Sequence, residues 1–199
     1  KDSTLELTYE SGTKIMFSKK TKDGKTRFIP HADFADKLEL SGENYVITKR
    51  DQSKITYNKD GKLKSYEDRY GNQVKAEYKD QKLKKVSDTK GRYLEFSYNQ
   101  DGNIAQIKDM LGRKATYKYD EHNNLEYVTD LEGVPTRYTY YTQSGNRLKE
   151  IYAGDKKQVI RNEYDIFGRL IKQYKNGVVS YHVYKDAIKD PNDDDKYLE

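Results

Sequence analysis

The chain contains no cysteine and no tryptophan, and only three prolines, Pro30, Pro135 and Pro191. Without cysteine there is no disulfide framework and no thiolate chemistry. No apolar run exceeds three residues, as in Ile15-Met16-Phe17 and Tyr45-Val46-Ile47. No segment is therefore long enough to cross a membrane as a helix, and membrane insertion is not expected. Large aliphatic residues are also scarce. Hydrophobic residues make up 34% of the 199, against roughly 45–50% in an ordinary domain counted with glycine. So little aliphatic volume excludes a thick core.

What is present argues against disorder. Twenty tyrosines recur at regular intervals, and the net charge is only +5. Low hydrophobicity leaves a chain disordered when nothing offsets its ordering entropy. Tyrosine offsets it in a thin sheet, because its ring covers apolar area while its hydroxyl stays wet. The 38 basic and 33 acidic side chains are interspersed. That pattern reads as a solvated surface, and nucleic acid is not an expected partner.

The decisive feature is a repeat. Anchor tyrosines stand at Tyr57, Tyr78, Tyr98, Tyr119, Tyr140, Tyr164 and Tyr184, with spacings of 21, 20, 21, 21, 24 and 20. The long fifth interval predicts an insertion near Ala153-Gly154-Asp155-Lys156. Each unit carries two turn signals. The first is Asn-x-Asp-Gly or a relative, ending at Gly61 and Gly102. Its counterpart in the sixth unit ends at Gly168. The second is Asp-x-x-Gly, ending at Gly71, Gly91, Gly112 and Gly133. Aspartate at the head of a turn bonds the backbone ahead of it, and glycine supplies the positive φ that closes it. Two turns per unit leave two strands of about six residues each.

Between turns the apolar pattern has period two: Ile55 with Tyr57, Tyr117 with Tyr119, Tyr138 with Tyr140. After the first turn it slips to three. Leu63 and Tyr66, Leu83 and Val86, Ile104 and Ile107, Leu125 and Val128, and Leu148 and Ile151 would face opposite ways on a regular strand. A β-bulge in every unit restores a common face and bends the strand. The fold class that follows is all-β: tandem antiparallel hairpins of about 20–21 residues in a thin, curved sheet. Residues 1–44 read as an irregular N-terminal β segment, with turns at Ser11-Gly12 and Asp23-Gly24 and a non-strand stretch at His31–Lys37. Residues 45–185 are the array. Residues 186–199 read as an acidic linker or tail, its final Leu198-Glu199 a cloning remnant.

Tyr119-Asp120 and Tyr164-Asp165, each followed by a turn, together with Gly168-Arg169-Leu170, Asp88 to Arg92 and Asp109 to Arg113, resemble the Tyr-Asp (YD) repeats of the rearrangement-hotspot (Rhs) family. The resemblance covers residues 45–185. It implies a β-hairpin strip wound into a hollow shell, which in bacterial polymorphic toxins encloses a C-terminal toxin and in teneurins belongs to a cell-surface receptor. Partners implied are the neighbouring repeats and an enclosed passenger domain. Localisation implied is secreted, at the cell surface or wall of a bacterium; the Lys- and Asn-rich composition points to a Gram-positive, Bacillus-like one. Asp190-Pro191-Asn192-Asp193 lacks the glycine of the Asp-Pro-x-Gly-type motif that ends such shells.

Reaction chemistry finds no foothold. His31, His122 and His182 are far apart and none has a second ligand at metal spacing. Ser11-Gly12 and Ser144-Gly145 are turn residues without a nucleophile elbow. A calcium loop around Gly61 would put Thr56 at position 1 and Glu67 at position 12, and the first ligand is wrong. The reading is a non-catalytic scaffold without cofactor or metal. The alternative is a module binding cell-wall glycan or another surface polymer through tyrosine rows.

Overall fold

The computed structural model describes residues 3–9, 11–22, 25–141, 145–154, 157–184, 189–190 and 193–197. Asp23-Gly24, Ser144, Asp155-Lys156 and Pro191-Asn192 lie outside the described residues. All regular elements described are β-strands, and the chain divides into two compact units, residues 1–95 and 96–199.

The first unit opens with β1 (Ser3–Thr8), β2 (Lys14–Lys22) and β3 (Lys25–Pro30), which form their own antiparallel sheet in that order. Its register sets Leu5 opposite Phe17 and Leu7 opposite Ile15. After His31–Asp36, which is not strand, come β4 (Lys37–Ser41), β5 (Asn44–Thr48), β6 (Lys54–Tyr57), β7 (Leu63–Glu67), β8 (Gln73–Lys79) and β9 (Lys82–Asp88). The second unit holds β11 (Ile104–Asp109), β12 (Lys114–Tyr119), β13 (Leu125–Thr129), β14 (Pro135–Tyr141), β15 (Arg147–Ala153), β16 (Lys157–Tyr164), β17 (Leu170–Lys175) and β18 (Val178–Tyr181). Between them β10 (Tyr93–Tyr98) runs across the boundary. From β4 to β18 the strands form one 15-stranded antiparallel sheet in strict sequence order. Near the C-terminus, β19 (Lys189–Asp190) and β20 (Asp193–Tyr197) pair with each other.

The register carries the apolar pattern across the strands. Leu38, Ile47, Ile55, Tyr66 and Val74 are successive cross-strand partners, so one face of the first unit is a continuous apolar row. Such pairs are the unit of sheet stabilisation. The β1–β3 sheet covers the start of this row. Phe17 is fully buried, Ile47 is 2% exposed, and Leu38 completes the cluster. Leu5, Leu7, Ile15, Phe28 and Phe34 pack around them, with Phe34 meeting Phe17 edge-on at 4.9 Å. Each fully buried side chain contributes about 1.5–3 kcal/mol. Farther along the row the cover stops, and Leu63, Tyr66, Val74 and Tyr78 are exposed.

The slipped apolar pairs have the expected cause. Tyr57 faces Leu63 while Thr56 faces Ser65, so Lys64 is an extra residue and the register shifts at that point. The same shift falls at Glu77/Tyr78, Lys118/Tyr119, Thr139/Tyr140 and Glu163/Tyr164. Each bulge returns the second apolar residue to the tyrosine face. Leu125 then meets Tyr119 and Val128 meets Tyr117. A bulge bends its strand and increases the local twist.

One placement needs correction. The fifth interval was expected to be long near residues 153–156. Tyr140 is paired with Leu148, eight positions on, whereas Tyr119 is paired with Leu125, six positions on. Most of the extra length therefore lies in the turn between β14 and β15. The remainder shows as a register shift between Ile151 and Tyr152.

Candidate functional site: the Tyr-Asp turns

The turns share one build, clearest at Asp88. Its amide donates to the Arg92 carbonyl at 2.9 Å, and the Gly91 amide donates back to the Asp88 carbonyl at 3.1 Å. Carboxylate oxygen Oδ1 accepts from the amides of Lys90 and Arg92 at 2.9 and 3.0 Å. Oδ2 accepts from Arg92 Nε at 2.6 Å. Four of the five backbone amides are thus satisfied within the turn, and the fifth, of Thr89, donates to the Gln73 carbonyl. Asp109 with Arg113 and Asp165 with Arg169 repeat the clamp, with Nε distances of 2.7 and 2.8 Å. At Asp68 and Asp120 the guanidinium is replaced by the amide of Asn72 or Asn124, donating to Oδ2. Asn58 and Asn99 keep only the Oδ1 half, and Asp130, followed by Val134, keeps only its backbone bonds.

The glycine in each turn is a conformational requirement. Gly61, Gly71, Gly91, Gly102, Gly112, Gly133 and Gly168 all have φ between +78° and +90°. At Gly168 a second constraint operates: a Cβ there would lie 2.8 Å from Arg147 Cζ. In the fourth unit Asn123 holds the same position at φ +62°, an orientation asparagine tolerates better than other side chains.

The anchor tyrosines work across strands. Tyr119 donates its hydroxyl to the Ile104 carbonyl at 2.9 Å, Tyr140 to that of Leu125 at 2.8 Å, and Tyr164 to that of Leu148 at 2.8 Å. Each acceptor is the first apolar residue after the preceding first turn. The tyrosine straps the strand beside it just where the bulge disturbs the ladder. The other anchors differ. Tyr57 packs against the buried cluster, Tyr78 lies 5.2 Å from Lys62 Nζ, Tyr98 is half-buried, and Tyr184 lies beneath the Arg169 guanidinium at 4.5 Å.

The electrostatics follow from the clamps. The Asn72 amide holds the Asp68 carboxyl below its ordinary value, and the Arg92 guanidinium does the same for Asp88. At Asp109, Asp120 and Asp165 burial pushes upward, but hydrogen bonds to the ionised oxygens outweigh it and the net shift is downward. Burial raises the hydroxyls of Tyr119 and Tyr140. The three histidines stay apart. His31 Nε2 is 2.6 Å from Ser18 Oγ, His122 Nδ1 is 3.8 Å from Glu121 Oε1, and the His182 backbone amide bonds Ile171. No group of three or more His, Asp or Glu residues that could hold a metal ion occurs among the described residues.

Two features escaped the sequence reading. Asn162 occupies the slot two residues before an anchor that holds Ile55, Ala76, Tyr117 and Tyr138 elsewhere. It is 5% exposed, donates to the Leu148 carbonyl and accepts from Gln173. Tyr141 donates to the Asn162 carbonyl at 3.1 Å. A polar residue in an apolar slot was the available signal. The second is a set of cation–aromatic contacts on the opposite face: Lys85 over Tyr93, Arg137 over Tyr152, Arg161 over Tyr174 and Lys172 over Tyr181, at 4.1–5.1 Å.

Bulged hairpins, clamped turns and tyrosine straps define a tandem β-repeat protein. Within that class the chain belongs to the teneurin YD-shell family, whose model matches residues 3–194. Three solved structures resemble it. The TcdB2-TccC3-Cdc42 structure has a TM-score of 0.57 at 13% identity. The Photorhabdus luminescens Tc holotoxin pore carrying a TccC3 substitution scores 0.55 at 12%, and TcdB2-TccC3 without its hypervariable C-terminal region scores 0.54 at 13%. Each match covers 87% of this chain and 11% of the solved chain. At these identities the likeness is one of fold. No match is found among the curated proteins compared. The role that family and fold support is that of a shell scaffold.

Proposed function

We propose that the chain is a length of non-catalytic wall from a large secreted or surface-exposed bacterial YD-repeat protein, and that the complete wall encloses a C-terminal toxin passenger. In this reading residues 45–185 are the wall-forming array, residues 1–44 its lead-in, and residues 186–199 a linker. The observation that carries it is the chain of satisfied hairpins. Five of the turns close through an Asp clamped by Arg or Asn, the others through backbone amides on an Asp or Asn, and the bulged pairs present their apolar residues to one face. Such a construction can be extended by adding further hairpins of the same kind. Membership of the YD-shell family supports it, as does the fold shared with TcdB2-TccC3, which was solved without its hypervariable C-terminal region.

The test is limited proteolysis of the longer polypeptide that carries this segment. A passenger inside a wall survives protease until the wall is cut, so deleting two repeats of the array exposes it. Equal digestion of the passenger with intact and shortened walls refutes enclosure. A pull-down on cell-wall glycan runs beside it. Saturable binding lost on changing Tyr66 and Tyr78 to alanine would replace the scaffold reading with the glycan-binding one.

A further inference from the structure

The face of the second unit that points away from the anchor tyrosines carries a ladder of cations and rings. Lys118, Tyr127, Arg137 and Tyr152 are successive cross-strand partners on β12 to β15. Beside them Arg161 faces Tyr174 across β16 and β17, and Lys172 faces Tyr181 across β17 and β18. Cross-strand partners share a face of the sheet. Adjacent strands are about 4.8 Å apart, so Lys118, Arg137 and Arg161, on alternate strands, are about 10 Å apart across the sheet.

The rings hold the cations. Arg137 Cζ lies 4.1 Å from the Tyr152 centroid and Arg161 Cζ 4.6 Å from that of Tyr174. Lys172 Nζ lies 5.0 Å from Tyr174 and 5.1 Å from Tyr181. A ring with a cation over its face is poorly placed to stack on a sugar or a base. A guanidinium resting on a ring keeps a fork of N–H donors in a fixed plane, which matches the oxygens of an anion. The acids in the same rows are engaged. Glu150 accepts from Thr139, Tyr152 and Gln158, and Glu163 accepts from Arg161. Four cations against two occupied acids leave a face rich in donors and poor in acceptors.

We propose that this face binds a linear polymer of phosphate groups. Such a chain brings negative charge and acceptor oxygens and almost no donors, so every contact it makes here finds a partner. A peptide or a neutral glycan brings N–H or O–H groups as well, and those meet few acceptors on this face. Single-stranded nucleic acid is recognised by stacking its bases on open aromatic rings, and here cations cover the rings. Successive phosphates reach cations on different strands, and linking those contacts makes the polymer bind far more tightly than one phosphate.

The test is isothermal titration calorimetry of the whole chain with inorganic polyphosphate. The expected result is saturable binding at about 50 mM salt that weakens about tenfold or more at about 200 mM. Replacing both Arg137 and Arg161 with glutamine should cost about tenfold in affinity, since two charge-assisted contacts are lost. Lys118→Gln, at an exposed position, should weaken binding by a smaller factor and covers misfolding of the arginine variant. Lys59→Gln with Lys90→Gln removes the same charge from exposed turns of the first unit and should leave the affinity unchanged. No binding of polyphosphate overturns the proposal. So does an equal loss in the Lys59 and Lys90 variant, which would leave only net charge at work. Polyglutamate binding as tightly as polyphosphate also overturns it and gives the face to an acidic peptide.

Discussion

Replacing Asp165 separates the two halves of the turn clamp. Its side chain accepts from the amides of Phe167 and Arg169, both at 2.9 Å, and from Arg169 Nε at 2.8 Å, with Arg169 Nη2 also within ion-pair distance at 2.8 Å, while only 3% exposed. Asp165→Ala strips two backbone donors and a guanidinium of a nearly buried acceptor. Removing one partner of a buried charged pair costs about 3–5 kcal/mol. Asp165→Asn keeps the Oδ1 acceptor and loses the charge, as Asn58 and Asn99 do in their units, so it retains roughly half of that. Asp130→Ala is the control. Its turn has the same two amide bonds but Val134 in place of the arginine, and it sits at the surface. Urea unfolding followed by circular dichroism ranks the three. Because repeat arrays open locally, amide exchange in β16 and β17 is read alongside. Asp165→Ala should shift the midpoint most, Asp165→Asn less and Asp130→Ala least. Equal losses for Asp165→Ala and Asp130→Ala would show that the arginine half of the clamp contributes nothing.

Three further outcomes follow from the same geometry. Gly168→Ala and Gly133→Ala both force alanine into a left-handed φ, at about 1–2 kcal/mol each, and at 168 the Cβ additionally displaces only the flexible end of Arg147; the first should lose slightly more than the second in matched urea titrations. Tyr140→Phe removes the bond to the Leu125 carbonyl and should cost about 1 kcal/mol, with faster amide exchange at the β12–β13 bulge beside Leu125; unchanged exchange there would remove the strap from the account. Acid should loosen the repeats. The carboxyls of Asp68, Asp88, Asp109, Asp120 and Asp165 are stronger acids folded than unfolded. Their contribution is complete above the unfolded value of about 3.9 and is lost as pH falls through the lower folded values. Thermal scans should therefore show a falling Tm below about pH 4, and a flat profile down to pH 2 would contradict the clamps.

The wall reading and the exposed apolar face of the first unit belong together. A single sheet has two faces, and where the β1–β3 sheet does not reach, Leu63, Tyr66, Val74 and Tyr78 meet solvent. Stability there rests on cross-strand pairs and on turns that satisfy themselves. That suits a sequence poor in leucine and valine and rich in tyrosine.

What could be read without coordinates was local. A turn whose partners lie within five residues declares itself through Asp, Gly and Arg, because every bond that closes it is short in sequence. The bulge was legible for the same reason: a three-residue slip between Leu63 and Tyr66 has only one remedy that keeps a common face. Family membership rode on those same short motifs. Everything that depends on register between distant residues needed the tertiary structure. Nothing within residues 1–44 announces that Phe17 will be buried against Leu38 and Ile47, since that contact joins two sheets. The tyrosine straps span 15 or 16 residues and exist only once the bulge sets the neighbouring carbonyl beneath the ring. Asn162 reads as a blemish in an apolar pattern until strand pairing brings Leu148, Gln173 and Tyr141 around it. Local bonding chemistry determined the units, and long-range pairing decided which faces are covered.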